Sequence, residues 1–119
     1  MTKKICFDLD NVICFTNKKK EYKKSRPNKN AIKVVNSLYD EGYFIKIYTA
    51  RGMGKYSENI SKVKKAYEKL TSNQLKKWNV KYHQLILGKT SYDYFIDDKA
   101  YGFKKNWIKD IKSKIKKLQ

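Results

Sequence analysis

A chain of 119 residues supports one domain around one core, spanning residues 1–119, and rules out a second. Its opening Met1-Thr2-Lys3-Lys4 runs straight into a strand pattern, with no apolar stretch of signal-peptide or membrane-helix length, so a cytoplasmic protein with no membrane partner is expected. The formal net charge of +18 comes from lysine, Arg26 and Arg51 being the only arginines among 29 basic residues. Proteins that read phosphate backbones usually mix in the planar arginine fork, so the excess reads as compositional bias that still steers anions to the surface.

In chain order, Ile5, Cys6 and Phe7 suit a buried parallel strand that delivers Asp8 and Asp10 to its C-terminal end. Two carboxylates held so close require a shared proton or a cation, and a hard divalent metal such as Mg2+ answers that need. Cys6 and Cys14 have no metal-binding spacing and His83 is the single histidine, so reduced buried thiols are expected and zinc is not. Residues 14–24 read as a lysine-rich flap beside the site, ended by Pro27. Asn28 or Asn30 then caps a helix whose core face carries Ala31, Val34, Val35 and Leu38, and Gly42 stops it. Residues 43–49 form a β-branched and aromatic strand ending in Thr49, and the loop Ala50-Arg51-Gly52-Met53-Gly54 is free to approach an anion.

A helix bearing Ile60, Val63, Tyr67 and Leu70 follows, then a shorter one capped by Thr71 or Ser72 with Leu75 and Trp78. Strands over 84–87 and 94–96 release into Gly88-Lys89-Thr90 and Asp97-Asp98-Lys99. The last helix aligns Trp107, Ile108, Ile111, Ile115 and Leu118 on one stripe. Alternating strands and helices predict a three-layer, Rossmann-like α/β fold, with a mostly parallel sheet between helices.

In an open parallel sheet, strand ends converge on one crevice, here collecting Asp8, Asp10, Thr49, Lys89, Asp97 and Asp98. Phosphoryl transfer needs such parts: a carboxylate nucleophile, an acid/base, a hydroxyl, a fixed ammonium and carboxylates for Mg2+. In this order the chain resembles the haloacid dehalogenase superfamily of phosphatases over nearly its whole length. Asp8-Leu9-Asp10-Asn11-Val12 matches the first motif, Thr49 the second, Lys89 the third and Asp97-Asp98 the fourth. The resemblance implies a HAD-like fold and a hydrolase in which Asp8 attacks phosphorus to form an aspartyl-phosphate. Asp10 would protonate the leaving oxygen and then activate water, while Thr49 and Lys89 bind the phosphoryl group. Mg2+ would be held by Asp8, the Asp10 carbonyl and Asp97, with Asp98 in direct or water-mediated contact. Asn11 stands where the family usually has glycine, and can take the same backbone angles.

Tyr48-Thr49-Ala50-Arg51 and the run from Gly88 to Ala100 look most like a subgroup associated with bacterial capsule and surface-polysaccharide synthesis, implying a sugar or polyol phosphate as substrate. Arg51 and Tyr56 are candidates for substrate contact. The stretches between motifs leave no room for a cap domain, so an open site is expected, covered if at all by a second copy of the chain. A nucleic-acid-end phosphatase is the alternative enzyme. A receiver-like or inactive phosphate-binding module is the alternative of another class.

Overall fold

The structure, a computed structural model, describes residues 2–118. Its elements are β1 (Lys4–Asp8), β2 (Cys14–Phe15), a 3-10 turn (Tyr22–Lys24), β3 (Arg26–Pro27), α1 (Lys29–Asp40), β4 (Phe44–Thr49), α2 (Ile60–Lys77), β5 (Gln84–Leu87) and α3 (Trp107–Lys116). Strands β1, β4 and β5 form a parallel sheet in the order β1-β4-β5, with Phe7 opposite Ile47 and Ile47 opposite Leu85. Along β4, Ile45, Ile47 and Thr49 are buried while Phe44, Lys46 and Tyr48 on the other face are half-buried. That alternation fixes the register, since a one-residue slip would expose the isoleucines.

Helix α1 starts at Asn28, whose side chain accepts the Ala31 amide at 3.2 Å, and ends before Gly42 at φ +98°. It buries Ala31, Ile32, Val35 and Leu38, and α3 lays Trp107, Ile111 and Ile115 into the same core. On β1, Phe7 meets the Trp107 ring with centroids 6.3 Å apart. Helix α2 leans on β5, where Val63, Met53 and Leu87 make a second, smaller cluster. The result is the expected Rossmann-like layering of a parallel sheet between helices. No cap is present among the described residues: a short antiparallel hairpin, β2 with β3, fills the space after Asp10, and only a loop, α2 and β5 separate Ala50 from Gly88.

Two expected elements form differently. Thr71 and Ser72 do not start a new helix; α2 runs through them to Lys77, with Thr71 turned into the interior, where its hydroxyl has a partner. Residues 94–96 are not a strand, and Tyr94 and Ile96 are 85% and 90% exposed. Three apolar residues offer few ladder bonds against the entropy of ordering them, and Asp97 Oδ1 accepts the Lys99 amide at 2.8 Å in a competing local turn. In consequence β1 is an edge strand rather than one buried on both sides, and Cys6 on it is exposed rather than buried.

At the start of β4, His83 accepts the Ile45 amide on Nδ1 at 3.0 Å and stacks between Tyr39 and Phe44, each ring centroid 4.5 Å away. Replacing His83 by alanine orphans that amide and opens the stack, so unfolding in urea should show a loss of about 1–3 kcal/mol.

Candidate active site

The C-terminal end of β1 carries the first carboxylate. Asp8 accepts the Leu9 amide on Oδ1 at 2.8 Å and faces Lys89 Nζ from Oδ2 at 3.3 Å. Lys89 reaches this place because Gly88 turns at φ +94°, where a Cβ would come within 3.2 Å of Ile60, and because the Lys89 amide donates to the Thr49 carbonyl at 3.1 Å. Burial pulls the Lys89 ammonium down, but the Tyr92 phenol and the Asp8 carboxylate together outweigh it and leave the pKa raised. The charge at this position is therefore fixed through neutral pH.

After Asp8 the chain folds into a tight loop. The amides of Val12, Ile13 and Cys14 all donate to the Leu9 carbonyl, and Asn11 adopts φ +65°, the left-handed angle that asparagine tolerates better than most residues. The loop turns Asp10 toward Arg51. Arg51 Nε lies 3.1 Å from both Asp10 oxygens and Nη2 lies 2.9 Å from Oδ1, while the Thr16 hydroxyl donates to Oδ1 at 2.5 Å. On its other side the guanidinium donates through Nη1 to Thr71 Oγ1 at 3.1 Å and Gln74 Oε1 at 2.6 Å, and it lies 4.9 Å over the Tyr22 ring. Gln74 in turn donates to the Tyr22 carbonyl at 2.7 Å. One fork thus ties the acidic loop, the flap and α2 together.

This arrangement moves Arg51 out of its expected role. Its side chain is 0% exposed against 20% for Asp10, and it faces Asp10 rather than open solvent. Thr49 is also fully buried, its hydroxyl accepting the Arg51 amide at 3.2 Å. Asp8 faces Lys89, whose amide donates to the Thr49 carbonyl, while Asp10 faces Arg51. Asp97 and Asp98 are exposed in the loop that replaced the expected strand, and among the described residues no three His, Cys, Asp or Glu side chains gather as a metal site. Asp8 and Asp10, the latter committed to Arg51, are the two carboxylates at the strand ends, and one or two carboxylates are the share of ligands that Mg2+ asks of a protein, the rest being waters and substrate phosphate oxygens. Thr16, Thr71, Gln74 and Ser25, whose hydroxyl lies 3.5 Å from Arg51 Nη2 and 2.7 Å from the Thr16 hydroxyl, were not foreseen as members of the site. Thr71 and Gln74 are spaced i, i+3 on one helix face, and that spacing was the available signal.

Cys14 lies in the same network, its Sγ 3.6 Å from Asp10 Oδ1, and burial together with the Asp10 charge pushes its thiol up to about 11. Maleimide at neutral pH should label exposed Cys6 in the native protein and reach Cys14 only after denaturation, as read by mass spectrometry. Equal labelling of both in the native state would mean that the loop opens.

The site and fold define an open α/β protein with an acidic strand end beside a lysine, and solved structures share that fold. The crystal structure of a Vibrio cholerae protein superimposes with a TM-score of 0.78 at 26% identity, covering 96% of this chain and 99% of that one. A structure of the Pnkp1/Rnl/Hen1 complex matches with a TM-score of 0.55 at 24% identity, over 82% of this chain and 31% of that one. A structure of the Pnkp1/Rnl/Hen1 RNA repair complex matches with a TM-score of 0.54 at 21% identity, over 99% and 32%. In both, this chain spans about a third of the matched chain's length. No family model and no curated protein matches the sequence.

Proposed function

We propose that the protein is a phosphomonoesterase of the haloacid dehalogenase type, a single catalytic domain over residues 1–119 that works through an aspartyl-phosphate. The pairing of Asp8 with Lys89, next to an Asp10 pinned by a buried arginine, carries this reading. An Asp8 oxygen attacks phosphorus and the bond to the leaving oxygen breaks. Lys89 offsets charge on the transferring group and on the nucleophile. Among the described residues Asp10 Oδ2 has Arg51 Nε as its one hydrogen-bond partner, whereas Oδ1 also takes Thr16 and Nη2, so Oδ2 is the oxygen with room to carry a proton. It gives that proton to the leaving oxygen and takes one from the water that attacks the aspartyl-phosphate. Thr49, buried, serves this reading by anchoring the Arg51 loop, and a direct phosphate contact requires its hydroxyl to turn outward.

Mg2+ belongs to the reading through the resemblance. When bound it would supply charge stabilisation to the phosphoryl oxygens, held by Asp8 and Asp10, with Asp97 or Asp98 as a further ligand.

Two substrate classes follow from different grounds. The subgroup resemblance favours a sugar or polyol phosphate, as in capsule synthesis. The open, capless site and the two fold neighbours from the Pnkp1/Rnl/Hen1 assembly, one described as an RNA repair complex, favour a phosphorylated nucleic-acid end. Phosphate release from sugar phosphates, polyol phosphates, nucleotides and a 3′-phosphorylated oligonucleotide, with Mg2+ or chelator, tests the reading. Metal-dependent release that disappears in Asp8→Asn supports it, and release unaffected by that substitution overturns it.

A further inference from the structure

A cleft of about 310 Å³ opens behind the flap, between it and the loop that follows β4. Ala50 and Gly52 on its wall flank Arg51 in the chain, and Ser91 on its rim stands two residues beyond Lys89, which pairs with Asp8. The loop carrying Ser91 is held against this wall by Glu58, which accepts the Thr90 hydroxyl at 2.7 Å and the Ser91 amide at 3.0 Å. Lys19, Lys20 and Lys55 line the cleft, and among the described residues none of the three has a carboxylate partner. Glu58, the nearest acid in sequence to Lys55, is occupied by Thr90 and Ser91.

A second cleft, of about 350 Å³, shares Lys20, Tyr22 and Tyr67 with the first and continues along α2 past Lys23 and Lys24. The shared wall is built by two aromatic rings. Tyr22 and Tyr67 meet edge to face at 5.1 Å, the Tyr22 hydroxyl accepts the Gly52 amide at 3.3 Å, and a Cβ on Gly52 would fall 2.5 Å from the Tyr67 ring. Gly52, at φ +76°, therefore serves both the turn and the close seating of Tyr67. A monophosphorylated metabolite held at Asp8 leaves these ammonium groups unused. Lys24 is paired with Glu21 and Tyr22 is buried, but the unpaired Lys19, Lys20 and Lys55 beside the half-buried Tyr67 ring are the parts with which sequence-tolerant sites follow a single strand, cations on the phosphates and an aromatic ring under a base.

We propose that the two joined clefts are a track for single-stranded nucleic acid, receiving the internucleotide phosphates next to a terminal phosphate lying at Asp8. The end-processing part rests on the phosphatase reading; the track itself does not. Both can be measured separately. The Asp8→Asn protein, which keeps the track but not the nucleophile, is titrated into a fluorescein-labelled, 3′-phosphorylated oligouridylate and followed by anisotropy. Combining Lys19→Ala, Lys20→Ala and Lys55→Ala should weaken binding about tenfold or more and lower the slope of log affinity against log salt by about 2, at roughly 0.7 for each phosphate that no longer meets a lysine. A charge-matched set on α3, Lys109→Ala, Lys114→Ala and Lys116→Ala, should change affinity by less than about threefold.

Equal losses from the two sets would reduce the effect to net charge and overturn the track, as would no loss from the first. A nucleoside 3′,5′-bisphosphate that competes as well as the oligonucleotide would also overturn it, by showing a small-molecule subsite. In the otherwise unaltered protein, the first set should lower kcat/KM for the oligonucleotide at least about tenfold more than for para-nitrophenyl phosphate. Binding that distinguishes the two sets, with no release from either substrate, would uphold the track and sink the phosphatase reading.

Discussion

Replacing Asp8 by asparagine should reduce phosphate release by at least about 10⁴-fold, because an amide cannot form the acyl-phosphate that splits the reaction into two steps. The fold should survive. Asp8 Oδ1 accepts the Leu9 amide at 2.8 Å, and the asparagine carbonyl can take over that bond. The ion pair with Lys89 involves a side chain 39% exposed, and solvent screening keeps its worth to about 1 kcal/mol or less. Turnover and thermal unfolding measured on the same preparation separate the two effects. Near-normal turnover in the variant would remove Asp8 as nucleophile.

The second large effect belongs to Arg51. Its alanine variant should lose about 3–5 kcal/mol of stability, since removal leaves the Asp10 carboxylate, Thr71 and Gln74 facing an emptied buried space. That is a large share of the total stability of a small domain, and denaturant titration will register it, or the protein will fail to accumulate. Arg51→Lys is the more telling variant. It keeps the charge but not the fork, and one ammonium cannot serve both Asp10 and the α2 pair, so kcat should fall about 10- to 100-fold. A positioning role predicts that KM stays nearly constant. A rise in KM with unchanged kcat would instead make Arg51 a direct substrate contact and contradict its burial.

The sheet-bearing half of the chain was legible in the sequence because its patterns are long and locally consistent. Phe44 to Thr49 alternates cleanly, and Asn28, Gly42 and Gly88 stand where a cap, a stop and a turn need them. Asn11 could be foreseen at a left-handed angle because it stands where the haloacid dehalogenase pattern that the chain resembles usually has glycine. Arg51 was legible only as a charged loop residue, because a guanidinium is buried only when several partners converge on it. Those partners, Asp10, Ser25, Thr71 and Gln74, come from segments far apart in the chain. Thr71 looked like a helix start because threonine favours caps, and the tertiary demand for its hydroxyl overrode that local preference. The segment around Tyr94 to Ile96 read as a strand by composition alone, and so short a run left the outcome to its surroundings.

His83, stacked between Tyr39 and Phe44 with Nδ1 given to the Ile45 amide, stands at the opening end of β4, whereas the acidic loop gathers at the closing ends of β1 and β4. The chain has no other histidine. Its imidazole is committed to holding the sheet, so none is left to relay protons at the strand ends. In the proposed phosphatase, proton traffic there would pass among carboxylates, hydroxyls, an ammonium and water. The pH–rate profile should therefore lack the inflection a titrating imidazole gives, and a reagent that modifies histidine should loosen the fold without singling out turnover.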